Sequence, residues 1–310
     1  MPINLRVTIG AAILALLLTT RLAATAPLEV TVGDSDVFPE SITRAQDGAL
    51  IFGSLGKPVL YRAAPGSSTA DPWIHLEGEK TVSLGVLADS ASSTLYACVV
   101  DQVSNATPPA QPQRRSSLRV FDLRTGAAKG RYPLPGDSNT CNDISIGPDK
   151  KAYISDTPNG RVLRLTGGQL EVVVEDKAHL AGIDGLTFLG RDLYVNTVMT
   201  GHIYRLPLDT EGKAGALVDI QLSQPLAGPD GMRAQGNVIY VAENQGGRVS
   251  ALKITGERAE VTVLKTGYQA PTGVAPAGDT LWVSEAKFNY QRDPKLGNPN
   301  PFKAFALALQ

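Results

Sequence analysis

The chain repeats one short pattern six times. In each copy a small or polar residue opens an alternating run, a turn follows, and an aromatic or aliphatic residue begins a second run. Glu40 is followed eleven residues later by Ile51, and Gly85 by Tyr96 and Asn142 by Tyr153 at the same distance. In the other three copies the distance is ten: Asp184 to Tyr194, Asp230 to Tyr240 and Thr272 to Trp282. The openers lie 45, 57, 42, 46 and 42 residues apart. A repeat of this length made of short strands is the signature of a propeller blade, because one small sheet cannot bury its faces alone and stacks on its neighbours. Six copies predict an all-β fold, a six-bladed β-propeller with four-stranded antiparallel blades.

The turns inside the copies carry the residues that tight hairpins use: Asp47-Gly48, Pro148-Asp149, Gly190-Arg191-Asp192, Gln235-Gly236-Asn237 and Ala277-Gly278-Asp279. Third strands are predicted at 59–66, 118–126, 161–168, 202–209 and 248–256, and outer strands at 171–176 and 260–267. Residues 28–32 and 303–309 are strand-like runs outside the copies. A ring needs its ends fastened, so residues 28–32 are expected to join the blade that holds the C-terminal strands. The segment Asp101–Ser117, rich in Pro, Gln and Ser, predicts an extended surface loop, with a glycosylation sequon at Asn105-Ala106-Thr107.

The domain organisation follows: residues 27–310 form one propeller domain behind a signal peptide at residues 1–26. Arg6 precedes a twelve-residue apolar stretch from Val7 to Leu18, and Ala24-Thr25-Ala26 supplies a small-x-small cleavage pattern. The apolar stretch is short for a membrane span. The expected location is therefore periplasmic or secreted, with no stable membrane insertion after cleavage. In an oxidising compartment Cys98 and Cys141 either pair or remain buried thiols, and the spacing does not choose between them. With a formal net charge of −1 and no basic stripe, the chain offers nucleic acid no electrostatic footprint. A monomer is expected.

Equivalent openers of a propeller meet near its axis, so Glu40, Asn142, Asp184 and Asp230 are expected to converge there. Three carboxylates brought together repel unless a cation offsets them. An oxygen-only donor set suits hard cations, and none of His75, His179 and His202 is an opener. The expected cofactor is one divalent cation, calcium first, with magnesium, manganese or zinc as alternatives. A second tier at the ends of the returning strands comprises Ser54, Asp156, Asn196, Glu243, Asn244 and Glu285.

The segments FPESI (38–42), CNDISIGPD (141–149), IDGL (183–186) and GPDGM (228–232), in this order, resemble the regucalcin/gluconolactonase-like family of six-bladed propellers, also called the senescence marker protein family. The resemblance implies a channel cation held by Glu40, Asn142, Asp184 and Asp230 and a lactone-hydrolysing activity. On that reading Asp230 is the general base, Asn142 orients substrate or water, and the substrate is a lactone or ester. Two departures stand out. Asp184 occupies a position that is commonly Asn, and Thr140 stands where sugar-lactone members often place an arginine. A preference for less polar lactones is therefore expected, with Phe38, Leu55, Leu84, Val86 and Met199 as apolar walls. The alternative reading is a non-catalytic exported propeller that binds a small ligand or protein partner, with calcium as a structural axle.

Overall fold

A computed structural model of the chain describes residues 27–309 other than 34, 79 and 104–112. The expected signal peptide at residues 1–26 and the sequon lie outside the described residues.

Strand β1 (Glu29–Val32) precedes the first hairpin, β2 (Ile42–Arg44) and β3 (Leu50–Phe52), which continues into β4 (Val59–Ala63) and β5 (Thr69–His75). The next sheet is β6 (Thr81–Asp89), β7 (Thr94–Val103), β8 (Gln113–Asp122) and β9 (Ala128–Pro133), in that order. It is followed by β10 (Cys141–Ile146), β11 (Ala152–Asp156), β12 (Arg161–Thr166) and β13 (Gln169–Glu175). Then come β14 (Ile183–Leu189), β15 (Asp192–Thr197), β16 (Ile203–Leu206) and the short β17 (Val218–Asp219). Strand β18 (Gln221–Leu222) lies on the outer edge of a sheet formed by β19 (Pro229–Gln235), β20 (Val238–Glu243), β21 (Arg248–Thr255) and β22 (Arg258–Thr266). The chain ends with β23 (Pro271–Ala277), β24 (Thr280–Glu285) and β25 (Lys303–Ala308), interrupted only by the one-turn helix α1 (Phe288–Arg292) and a 3-10 turn. No helix among the described residues is long and apolar enough to cross a membrane.

Within each sheet consecutive strands pair antiparallel. Every inner hairpin turns through a residue at positive φ: Gly48, Ser93, Lys150, Gly190, Gly236 and Gly278. Left-handed backbone is what a two-strand reversal demands, and glycine adopts it without the Cβ clash that Ser93 and Lys150 must tolerate.

Sequential pairing is broken by β18, which runs parallel to β22, and with larger consequence by β1. It runs antiparallel to β25, with Val30 opposite Ala304, and on its other edge runs parallel to β5, with Thr31 opposite Thr69. One continuous eight-stranded sheet results, in the order β2-β3-β4-β5-β1-β25-β24-β23. The expectation that residues 28–32 pair with the C-terminal strands is met.

The first strands touch in a closed cycle: β2 with β6, β6 with β10, β10 with β14, β14 with β19, β19 with β23, and β23 with β2. The apolar residues sit between successive sheets rather than in one central core. Ile51, Leu60 and Ile74 pack on Val86, Leu95 and Val99, and Tyr153 and Val162 pack on Ile183, Leu186 and Leu193. Each such side chain, fully buried, contributes roughly 1.5–3 kcal/mol. This layering leaves the axis free for polar groups.

Two expectations are corrected here. The predicted loop Asp101–Ser117 is shorter, because β7 and β8 continue their ladder with Asp101 opposite Arg115 and Val103 opposite Gln113. Asp101 anchors that extension by accepting from Arg131 at 2.7 Å, Thr81 at 2.9 Å and Arg119 at 3.1 Å. Val86, expected to wall the mouth, is buried in the layer between sheets.

Candidate functional site

Why the opener side chains face inward is visible in the ladders. Between β10 and β11 the register shifts from Cys141 to Ile144, and between β14 and β15 from Ile183 to Leu186. The same irregularity lies between Pro229 and Met232 and between Pro271 and Gly273. Asn142, Asp184, Asp230 and Thr272 therefore each sit in a β-bulge, the device that re-aims a side chain out of the pleat. After the bulge the backbones crowd one another. A Cβ on Gly185 would lie 2.3 Å from the Asp230 carbonyl oxygen, and one on Gly231 would lie 2.6 Å from that of Thr272. No larger residue follows Asp184 or Asp230 without pushing the inner strands apart.

Of the predicted ligands, Glu40, Asp184 and Asp230 are gathered: each has a carboxylate oxygen within 4.8 Å of the others, and all three are buried. Asn142 joins them by donating from Nδ2 to Asp184 Oδ2 at 2.9 Å and to Thr157 Oγ1 at 2.9 Å. Its carbonyl oxygen Oδ1 takes no hydrogen bond among the described residues. Asp230 Oδ1 accepts from the Gly231 N–H at 2.9 Å, and Oδ2 accepts from Asn244 at 3.1 Å.

The other two openers do different work. Thr272 Oγ1 donates to the Pro39 carbonyl at 2.9 Å, fixing the backbone just before Glu40. Gly85 lets the Asn142 carbonyl approach, to 2.3 Å from where a Cβ would stand.

Burial dominates the electrostatics. It pushes the Glu40 carboxyl well up, assisted by Asp184 and Asp143 and partly offset by Arg233. Burial, and then the neighbouring charge of Asp143, push Asp184 up to about 7. Asp230 is raised well above the usual range by burial and by Asp184 and Glu40, against the opposing hydrogen bonds from Gly231 and Asn244. Carboxylates this close cannot all ionise cheaply in a dry site.

The second tier divides. Asn196, fully buried, accepts from the Gly185 N–H at 3.1 Å and donates to the Asp230 carbonyl at 2.5 Å. Ser155 likewise donates to the Asp184 carbonyl at 2.6 Å. Asp156, Glu243 and Glu285 instead accept from the N–H groups of Thr140, Ala227 and Gln269, at 2.9, 2.6 and 2.8 Å, bracing the approach to each opener. Asp156 and Glu243 are further neutralised by Arg161 and Arg248 at 2.6 and 2.8 Å. These side chains position the ring rather than line it; only Asn244 touches a clustered carboxylate.

Two buried residues next to the cluster escaped the sequence reading. Arg233, on β19, grips Asp143, on β10, with both guanidinium nitrogens, at 2.7 and 2.8 Å. Asp143 also accepts from the Leu186 N–H at 3.3 Å, so it touches all three inner strands that carry Asn142, Asp184 and Asp230. A signal was present: three residues after the openers the chain reads Thr43, Ala88, Ser145, Thr187, Arg233 and Ala275, and the one charge stands out.

Cys98 and Cys141 form a disulfide, with Cα atoms 5.0 Å apart, tying β7 to β10 immediately before Asn142.

No protein-family model and no curated protein sequence matches the chain. Its backbone is similar to that of Mala s 1, the major Malassezia sympodialis allergen, with a TM-score of 0.69 and 14% identity over 91% of this chain and 96% of that one. It is similar to luciferin-regenerating enzyme, with a TM-score of 0.63 and 14% identity over 89% and 93% of the two chains. A calcium-binding protein, regucalcin from Agrobacterium tumefaciens, matches with a TM-score of 0.62 and 16% identity over 91% and 97%. At such identities the likeness establishes the fold, a β-propeller, and at that level the resemblance to regucalcin-like propellers is borne out.

Proposed function

We propose that the chain is an exported, six-bladed propeller hydrolase that depends on one divalent cation and opens a lactone or a related ester. The observation that carries the proposal is the buried meeting of Glu40, Asp184 and Asp230. The blade count is supported by the closed cycle of inner strands, with β2–β5 forming one blade and β23, β24, β25 and β1 forming another within the eight-stranded sheet.

The donor set fits a hard dication. All candidate ligands are oxygens, three of them on buried carboxylates, and Asn142 Oδ1 is a fourth acceptor that takes no hydrogen bond among the described residues. Calcium is the first candidate, ahead of magnesium, manganese and zinc. When bound, such an ion polarises an ester carbonyl and stabilises negative charge developing on its oxygen. Glu40 and Asp184 would hold it. Asp230, kept in place by Gly231 and Asn244, would accept the proton of the attacking water, and Asn142 would orient substrate or water. Burial lifts the Asp230 carboxyl, and a neighbouring positive charge would favour the ionised form that a base requires.

The Cys98–Cys141 disulfide supports export to an oxidising compartment. The remaining expectations, a monomer and a preference for less polar lactones, belong to the same proposal. Thr140 brings no guanidinium to the mouth, and Met199 is 76% exposed.

The test is metal analysis of the purified protein joined to a panel of sugar, alkyl and aromatic lactones, followed by pH indicator with and without chelator. Turnover that vanishes with chelator and returns with calcium is expected. Metal uptake without turnover on any lactone or ester would reduce the cation to a structural axle.

A further inference from the structure

The contacts of Asp143 and Arg233 are unusual for an ion pair that only braces a fold. Both side chains are nearly inaccessible, 5% and 12% exposed, so solvent does little to screen them. The grip is bidentate and joins β10 to β19 across 90 residues of sequence. The pair is also linked to the carboxylate cluster on both sides. Asp143 follows Asn142 directly and accepts from the Leu186 N–H, two residues after Asp184, while Arg233 stands three residues after Asp230 on the same inner strand. Glu40, Asp184, Asp230 and Asp143 thus form a run of buried acids against which Arg233 sets a permanent cation.

We propose that Arg233 cancels Asp143, a fourth buried acid beside the cluster, so that the pull on a dication is left to Glu40, Asp184 and Asp230 and loss of either partner shifts it in opposite directions. This rests on the metal-site reading given above. The physical argument is one of sign. Removing the guanidinium leaves Asp143 unpaired and deepens the negative field, which favours a dication and disfavours the metal-free protein. Removing the Asp143 charge leaves the guanidinium uncancelled, which repels a dication and relieves acid–acid repulsion. A pair that served only as a clamp would weaken metal binding whichever partner were lost. At this burial a unit charge is felt well above thermal energy.

The experiment uses the full chain, stripped with chelator and titrated with calcium by calorimetry at pH 8, as native protein and as Arg233→Met, Asp143→Asn, the double variant and Arg233→Lys. Arg233→Met is expected to bind calcium roughly tenfold tighter and Asp143→Asn roughly tenfold weaker, with the double variant close to native. Arg233→Lys keeps the charge and loses the fork, so its affinity is expected within about threefold of native. Shifts in the same direction for Arg233→Met and Asp143→Asn, or a Lys variant displaced as far as the Met variant, would overturn the proposal.

A metal-free arm decides the matter separately. In the stripped protein Arg233→Met is expected to melt well below Asp143→Asn, since only the first adds net repulsion. Equal losses of melting temperature would overturn the charge-balance role. Should the native chain take up no calcium, the proposed function fails, while the melting comparison still judges the pair. If Arg233→Met yields no folded protein, Arg233→Gln, which removes the charge and keeps a hydrogen-bond donor for Asp143, replaces it in both arms.

Discussion

Asn196 joins two inner strands with one side chain, accepting from the Gly185 N–H at 3.1 Å and donating to the Asp230 carbonyl at 2.5 Å. Because it is fully buried, neither partner finds water when it is removed. Asn196→Ala is expected to cost on the order of 2–4 kcal/mol, the penalty for two buried polar groups left unpaired. Urea denaturation measures it; a loss below about 1 kcal/mol would show that the two bonds are replaceable.

Asp230→Ala and Glu40→Ala separate catalysis from cation holding. Asp230→Ala is expected to abolish lactone turnover at saturating calcium while the fold persists, since losing one of three crowded acids also removes repulsion. Glu40→Ala is expected to raise the calcium concentration needed for half-maximal turnover. Near-native turnover in Asp230→Ala at saturating calcium would remove Asp230 from the role of base.

The metal-free protein carries a pH signature whose sign follows from the raised carboxyls. A carboxyl whose folded value exceeds its unfolded value, about 4 for an aspartate, contributes stability that is present in full at low pH. That stability is lost as the pH rises through the folded value, about 7 for Asp184. Chelator-treated protein is therefore expected to melt several degrees higher at pH 5 than at pH 8, and saturating calcium to reverse the order. A metal-free protein that gains stability between pH 5 and pH 8 would contradict the burial of these acids.

The disulfide closes a loop with a sequence separation of 43 between Cys98 and Cys141. Cys98→Ser with Cys141→Ser is expected to cost about 3–4 kcal/mol through the freed unfolded chain. It should also weaken calcium binding, because Cys141 fixes the backbone beside Asn142. Chemical denaturation and calcium titration of the double variant check both effects.

The repeat was readable because hairpin geometry is local. A ten- or eleven-residue distance and a turn residue specify it without knowledge of the rest of the chain. The convergence of Glu40, Asp184 and Asp230 was readable for the same reason, as equivalent positions of one repeated unit. What escaped was held by contacts between units. The Asp143–Arg233 pair spans 90 residues, and nothing near either residue points to the other. Asp156, Glu243 and Glu285 looked like channel groups because alternation specifies the strand end but not the rotamer that turns each carboxylate back onto a loop N–H. The polar run after Asp101 read as loop because its strand character comes from Arg119 and Arg131, on neighbouring strands.

The seam at β1 ties the first and last described strands together, and Glu40 follows closely behind it. At the inner ends of that same sheet, where β23 meets β2, Thr272 holds the Pro39 carbonyl, while Asp184 and Asp230 are supplied by strands in the middle of the sequence. Glu40 thus joins the acid cluster from the sheet that β1 and β25 close. Closing the ring and placing Glu40 are therefore parts of one construction, in which the outer ladder of β1 on β25 and the inner contact of β23 with β2 hold the same two runs of strands together.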